Sequence, residues 1–172
     1  MMAENVTISR ARLADDAGRA LIAALNAELS ATYPEPGATH FGLDPAEVGD
    51  GRGAFLVASL HGEPVGCGAV RLIDAETGEL KRMYVSPGVR GKGVGRRLVA
   101  ALEAEARALG ARRMVLETGT RQTAALALYR AAGFRPVPLY GEYVRSPDTS
   151  VCLWKELEGR SEDDEGAAAA GE

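Results

Sequence analysis

In the segment Met83-Tyr84-Val85-Ser86-Pro87-Gly88-Val89-Arg90-Gly91-Lys92-Gly93-Val94-Gly95-Arg96, a strand-like run ends at Pro87 and alternating glycines lead straight into an amphipathic helix. Glycines at such a junction let backbone approach a ligand closely, and the free N–H groups of a helix start favour an anion. Arg90 and Lys92 add charge-assisted donors for phosphate oxygens. The segment therefore reads as a cradle for a diphosphate. A Walker A loop is excluded, because its Lys must be followed by Ser or Thr and Lys92 is followed by Gly93. A dinucleotide fingerprint is excluded as well: it needs GxGxxG after a parallel strand, and here the spacing is GxGxG after hairpins.

Upstream of this segment, residues 79–85 read as a strand entered from the turn Ala75-Glu76-Thr77-Gly78. Residues 54–60 and 65–73, joined through His61-Gly62-Glu63-Pro64, read as an antiparallel hairpin. Residues 33–53 carry Pro34, Pro36, Pro45 and several glycines and read as a long functional loop with a short helix near Pro45-Ala46-Glu47. Before it, Ala17, Ala20, Leu21, Ala24, Leu25 and Leu29 repeat at helical spacing behind Asp15-Asp16, and Val6-Thr7-Ile8-Ser9 alternates as a first strand.

Downstream, Val94, Leu98, Ala101, Leu102, Ala106 and Leu109 form one helical stripe that stops at Gly110. Residues 113–117 read as a strand and 123–132 as a helix stopped by Gly133. Residues 137–144 and 151–157 are two further β-like segments. The order β-α-(α)-β-β-β-α-β-α-β-β predicts one mixed α/β domain with no internal repeat.

Arg90-Gly91-Lys92-Gly93-Val94-Gly95 resembles the R/Q-x-x-G-x-G/A signature of the GNAT (GCN5-related) N-acetyltransferases. Glu79-Leu80-Lys81-Arg82-Met83-Tyr84-Val85 is similar to their fourth strand, and Tyr129-Arg130-Ala131-Ala132-Gly133-Phe134 to the end of the helix after their fifth. Leu116-Glu117-Thr118-Gly119 with Gln122, then Tyr143, Ser146-Pro147 and Lys155, resembles one bacterial branch, although many members carry Asn where this chain has Gln122. The resemblance spans roughly residues 6–157. It implies a single α/β domain with a mixed, mostly antiparallel sheet, splayed central strands and flanking helices. It also implies acetyl-coenzyme A as co-substrate, transfer to a primary amine of a small molecule, with a protein or peptide amine or a non-catalytic acyl-CoA-binding module as the alternatives, and a possible homodimer. Carried over residue by residue, the backbone of Met83, Tyr84 and Val85 would pair with the pantetheine arm. Arg90, Gly91, Lys92, Gly93, Val94, Gly95 and Arg96 would hold the diphosphate.

Acyl transfer to an amine needs a neutral nucleophile, a stabilised oxyanion and a proton for the departing thiolate. A tyrosine, with an ordinary pKa of about 10, is protonated at neutral pH and can donate to the sulfur. The resemblance puts Tyr129 in that role. Glu79, near the start of the strand that should border the acceptor, is the candidate base, acting through water, and Glu117 on the neighbouring strand competes with it. The sequence's two cysteines, Cys67 and Cys152, sit alone in β-like segments. They form no metal-ligand or disulfide pattern, and neither has a nearby His for an acyl-enzyme. The expected reaction is direct attack within a ternary complex, without a metal.

The chain of 172 residues is about one domain long. Its net charge of −4 argues against a general nucleic-acid binder. No run approaches the roughly 18–20 apolar residues of a membrane span. The start MMAENVTISR has neither the basic nor the apolar region of a secretory signal, so a cytoplasmic protein is expected. The domain is read as 1–158 and the acidic remainder, 159–172, as a disordered tail.

Overall fold

The computed structural model describes residues 5–35 and 43–157; the 159–172 tail lies outside them. The elements are β1 (Val6–Arg10), α1 (Asp16–Thr32), β2 (Gly53–Leu60), β3 (Glu63–Asp74), β4 (Thr77–Val85), α2 (Val94–Ala108), β5 (Arg113–Gly119), α3 (Thr123–Ala131), β6 (Arg135–Val137) and β7 (Ser150–Glu156), with 3₁₀ turns at Pro45–Val48, Pro87–Val89 and Gly141–Arg145. One sheet runs β1-β2-β3-β4-β5-β7-β6. Every neighbouring pair is antiparallel except β4 and β5, which run parallel because α2 carries the chain across between them.

Strand alternation divides the core in two. On one face Leu98, Leu102 and Ala106 of α2 pack with Val70, Leu80, Met114, Leu116 and Leu153, and α3 adds Tyr129. On the other, Leu21 and Leu25 of α1 cover Phe55, Val57, Cys67, Ala69 and Tyr84. Most charges of α1 and α2 lie on their outer faces, as helices with one apolar stripe require, while Glu103 of α2 is buried and paired with Lys155.

The β4–β5 ladder is short. It runs from Thr77 opposite Arg113 to Leu80 opposite Leu116 and stops there. Just beyond, the β3–β4 register slips between Cys67 and Ala69, and Arg82 adopts φ 56°. A bulge of this kind bends and twists the strand that holds it. Beyond Leu80, β4 therefore leaves β5, and the expected splay of the central strands is present.

Residues 137–144 correct the sequence reading. The strand there is only Arg135–Val137, and Gly141–Arg145 is a 3₁₀ turn. Alternating apolar residues imitate a strand, but Gly141 at φ 55° turns the chain and brings Tyr140 and Tyr143 back over the sheet. The short helix near Pro45 is present, closed by a capping box between Asp44 and Glu47.

Candidate active site

Where β4 and β5 separate, a cavity of about 120 Å³ opens. Its walls are Leu25 and Leu29 of α1 with Tyr33 at the C-cap of that helix, Lys81, Arg82 and Met83 of β4, Glu117 to Gly119 of β5, Tyr129 of α3, and Tyr143, Thr149 and Ser150. Tyr33 closes one end. Its hydroxyl accepts the backbone N–H of Arg121 at 2.9 Å, and the Arg121 guanidinium lies 4.9 Å from its ring centre. Gln122 shapes the β5–α3 turn, its side-chain oxygen accepting the Gly119 N–H at 2.8 Å.

Tyr129 is buried, in edge contact with Phe134 at 5.9 Å. Burial, and then the nearby charge of Glu117, push its pKa above the ordinary phenol value, so it keeps its proton across the working pH range. Glu117 is partly buried and accepts a 2.6 Å hydrogen bond from the Ser150 hydroxyl. Burial outweighs that bond and raises its pKa above the usual carboxylate range.

Glu79 is placed differently from the sequence expectation. It is 1% exposed and does not line the cavity. Arg71 donates to Oε1 at 2.8 Å, and Oε2 accepts from Tyr140 at 2.5 Å and Tyr143 at 3.1 Å. Arg71 also pairs with Glu47. A carboxylate taken by a guanidinium and two phenols is an anchor for the turn that carries those phenols.

The loop residues divide as well. Gly91 and Gly93 have φ of 77° and 87°, a region that side chains disfavour, and Gly93 is the N-cap of α2 with no side-chain cap. The first N–H groups of α2 are thus left for another acceptor. Arg90 is turned away from that end: it donates to the Val85 carbonyl at 2.8 Å and to Glu28 at 2.7 Å, and lies 5.8 Å from the Tyr84 ring centre. Lys92 is exposed, and Arg96, also exposed, reaches the Ala131 carbonyl only at 3.5 Å. The side chains of Tyr84 and Val94 are core, and Gly95 makes room for Leu128, whose Cδ2 would stand 3.0 Å from an added Cβ. Met83 lines the cavity. Lys155 lies elsewhere, 2.5 Å from Glu103 of α2.

Lys81, Ser150 and Tyr33 were not singled out from the sequence. For Lys81 a signal exists: Glu79 and Lys81 share one face of a strand in the middle of the sheet, where charge is buried. Among the described residues no cluster of three or more His, Cys, Asp or Glu side chains suited to a metal occurs, and no helix is long and apolar enough to cross a membrane.

Compared with known proteins, residues 19–134 match the model of the acetyltransferase (GNAT) family. An IAA acetyltransferase of Azospirillum brasilense is 43% identical over 145 residues, covering 83% of this chain and 93% of the relative. The crystal structure of a candidate acyl-CoA N-acyltransferase from Klebsiella pneumoniae subsp. pneumoniae superposes with a TM-score of 0.77 at 36% identity, over 89% of this chain and 98% of that one. A GNAT family acetyltransferase from Elizabethkingia anophelis, solved with acetyl-CoA bound, shares the fold at a TM-score of 0.66 and 21% identity, over 90% of this chain and 99% of the other.

Proposed function

This chain belongs to the GNAT acetyltransferase family and is an acetyl-CoA-dependent N-acetyltransferase, and from that premise we propose that its acceptor is a primary amine on a small molecule, attacked directly in a ternary complex. One observation carries the proposal: the β4–β5 ladder ends at Leu80 and Leu116, and the cavity at that fork is lined by both Tyr129 and Glu117. The acceptor space is narrow and enclosed by α1 and the Tyr143 turn, which suits a small molecule better than a protein surface.

The residues fit acetyl-CoA. Beyond the fork, the facing edges of β4 and β5 have no ladder partner in each other, so an extended pantetheine can add to them like a strand. Carbons added at Gly88 or Gly91 would meet nothing within 4 Å, and the uncapped start of α2 supplies N–H groups to a diphosphate. Lys92 and Arg96 are the cations we assign to it, while Arg90 braces the loop against Val85 and Glu28.

In the transfer, the neutral amine nitrogen attacks the thioester carbonyl carbon. The N–C bond forms, the C–S bond breaks, the thiolate takes the Tyr129 hydroxyl proton, and the proton lost by nitrogen passes to Glu117. Solvent then returns that proton to Tyr129. We assign the base to Glu117 and a positioning role to Glu79.

Two measurements test this. Thiol release from acetyl-CoA across a panel of amines and short peptides should be fastest with a small amine, and a preference for peptides would reverse the acceptor class. Calorimetric titration with CoA should be weakened about tenfold, or ~1.4 kcal/mol, by Gly93→Glu, which sets a carboxylate against the diphosphate. Equal affinity in both proteins would move the site elsewhere.

A further inference from the structure

Lys81 lines the acceptor cavity from the β4 side with a side chain 5% exposed. Its Nζ makes no hydrogen bond among the described residues. Two of the carboxylates around it are engaged elsewhere, and the third reaches it only as a long ion pair. Glu79 is held by Arg71, Tyr140 and Tyr143. Glu117 accepts from Ser150. Glu142 is half exposed and stands 3.9 Å away, beyond hydrogen-bond range. A buried donor left unmade is costly, so a native protein seldom keeps one without a use.

Arg82, the next residue, also lines the cavity, with its guanidinium against the Asn26 side chain. Lys81 on the β4 wall thus stands across the fork from Glu117 on the β5 wall, while the Arg82 guanidinium points away toward Asn26. This places positive charge on one side of the acceptor space and a proton-accepting carboxylate on the other.

We propose that the acceptor is an amine that also carries a carboxylate, an amino acid or a close analogue, whose carboxylate accepts from Lys81 Nζ while its amine meets Glu117. The proposal rests on the transfer reaction assigned to this cavity and names its substrate class. The anion supplies the missing partner in a desolvated, charge-assisted bond. It also favours the charged form of Lys81, which burial disfavours.

The test uses the full chain with acetyl-CoA and matched acceptors: L-leucine and L-methionine, each beside its carboxamide. A site built around a buried donor discriminates strongly against a substrate that leaves it unpaired, so wild type should favour the acids by about 10- to 100-fold in kcat/KM. The amides have the less basic amines, so chemistry without recognition would favour them instead. Lys81→Met removes the ammonium at nearly constant volume and should bring the acid-to-amide ratio down to one or below, chiefly by raising KM for the acids. Melting and CoA titration check that the variant folds, and Lys81→Gln provides a second variant. An amide preference in wild type, or an unchanged ratio in a folded variant, overturns the proposal while leaving amine acetylation standing. If CoA binds but no amine releases thiol, the transfer reading itself fails, and the proposal with it.

Discussion

The Tyr33 hydroxyl lies directly over Gly119: a Cβ added to Gly119 would stand 1.8 Å from that oxygen and 2.6 Å from the ring carbon bearing it. The end of α1 is thereby locked to the end of β5, and the cavity is closed on that side. Gly119→Ala should destabilise the fold by about 1–3 kcal/mol, the usual cost of overpacking, and should open that end of the cavity. Tyr33→Phe, which only strips the Arg121 N–H of its acceptor, should cost about 1 kcal/mol. Thermal melts of both check this, and a Gly119→Ala protein as stable as wild type would show that Tyr33 is not held there.

Tyr129→Phe removes one hydroxyl and keeps the ring against Phe134. Packing and CoA affinity should survive, while kcat falls roughly 10²- to 10⁴-fold, the range for loss of a general acid. The fall should be equal in kcat and kcat/KM, as for a contact made only in the transition state. Near-normal turnover, with chemistry shown to limit the rate, would return Tyr129 to a packing role.

Glu117 gives two pH signatures. As a base it acts when ionised, and burial raises its pKa, so kcat/KM should rise with pH through a limb lying above the ordinary carboxylate range. Glu117→Gln should abolish that limb. For stability the sign is opposite. A carboxyl whose folded pKa is raised stabilises most below its unfolded pKa, and that contribution is lost as pH rises through the folded pKa. Glu117→Gln should therefore melt higher than wild type at neutral pH, with the gap closing in acid. The outcome that sinks the assignment is an intact acid limb in Glu117→Gln.

Glu79→Gln separates an anchor from a base. The substitution leaves Arg71 with Glu47 alone and weakens the hold on Tyr140 and Tyr143. Breaking a buried pair costs roughly 3–5 kcal/mol, and the remaining Glu47 should hold the loss here to about 2 kcal/mol. Activity should drop as the Tyr143 wall loosens, yet the acid limb of the pH profile should persist, moved only toward lower pH because the Glu79 charge no longer raises the Glu117 pKa. A limb that vanishes with Glu79→Gln would make Glu79 the base after all.

Local order explains what was legible in the chain. The alternation of residues 54–60 and 65–73, the helical stripe from Val94 and the glycines that introduce it each depend on neighbours a few positions away, so β2, β3 and α2 were readable one segment at a time. Val137 and Leu139 misled for the same reason: their alternation is local, while the pull that turns the chain into 3₁₀ comes from Glu79 on another strand.

The amino-acid sequence by itself determined the order of elements, the glycine loop at the start of α2 and the place of Tyr129 in the helix after β5. Only the tertiary structure decided what the charged residues do. Glu79 and Glu117 are both acidic strand residues, and nothing near either in sequence separates them. Glu79 meets Arg71 from β3 and two phenols from more than sixty positions away, whereas Glu117 meets a single hydroxyl at the open fork. A carboxylate's proton affinity and accessibility are set by such long-range partners and by its burial, and those exist only once the sheet has assembled.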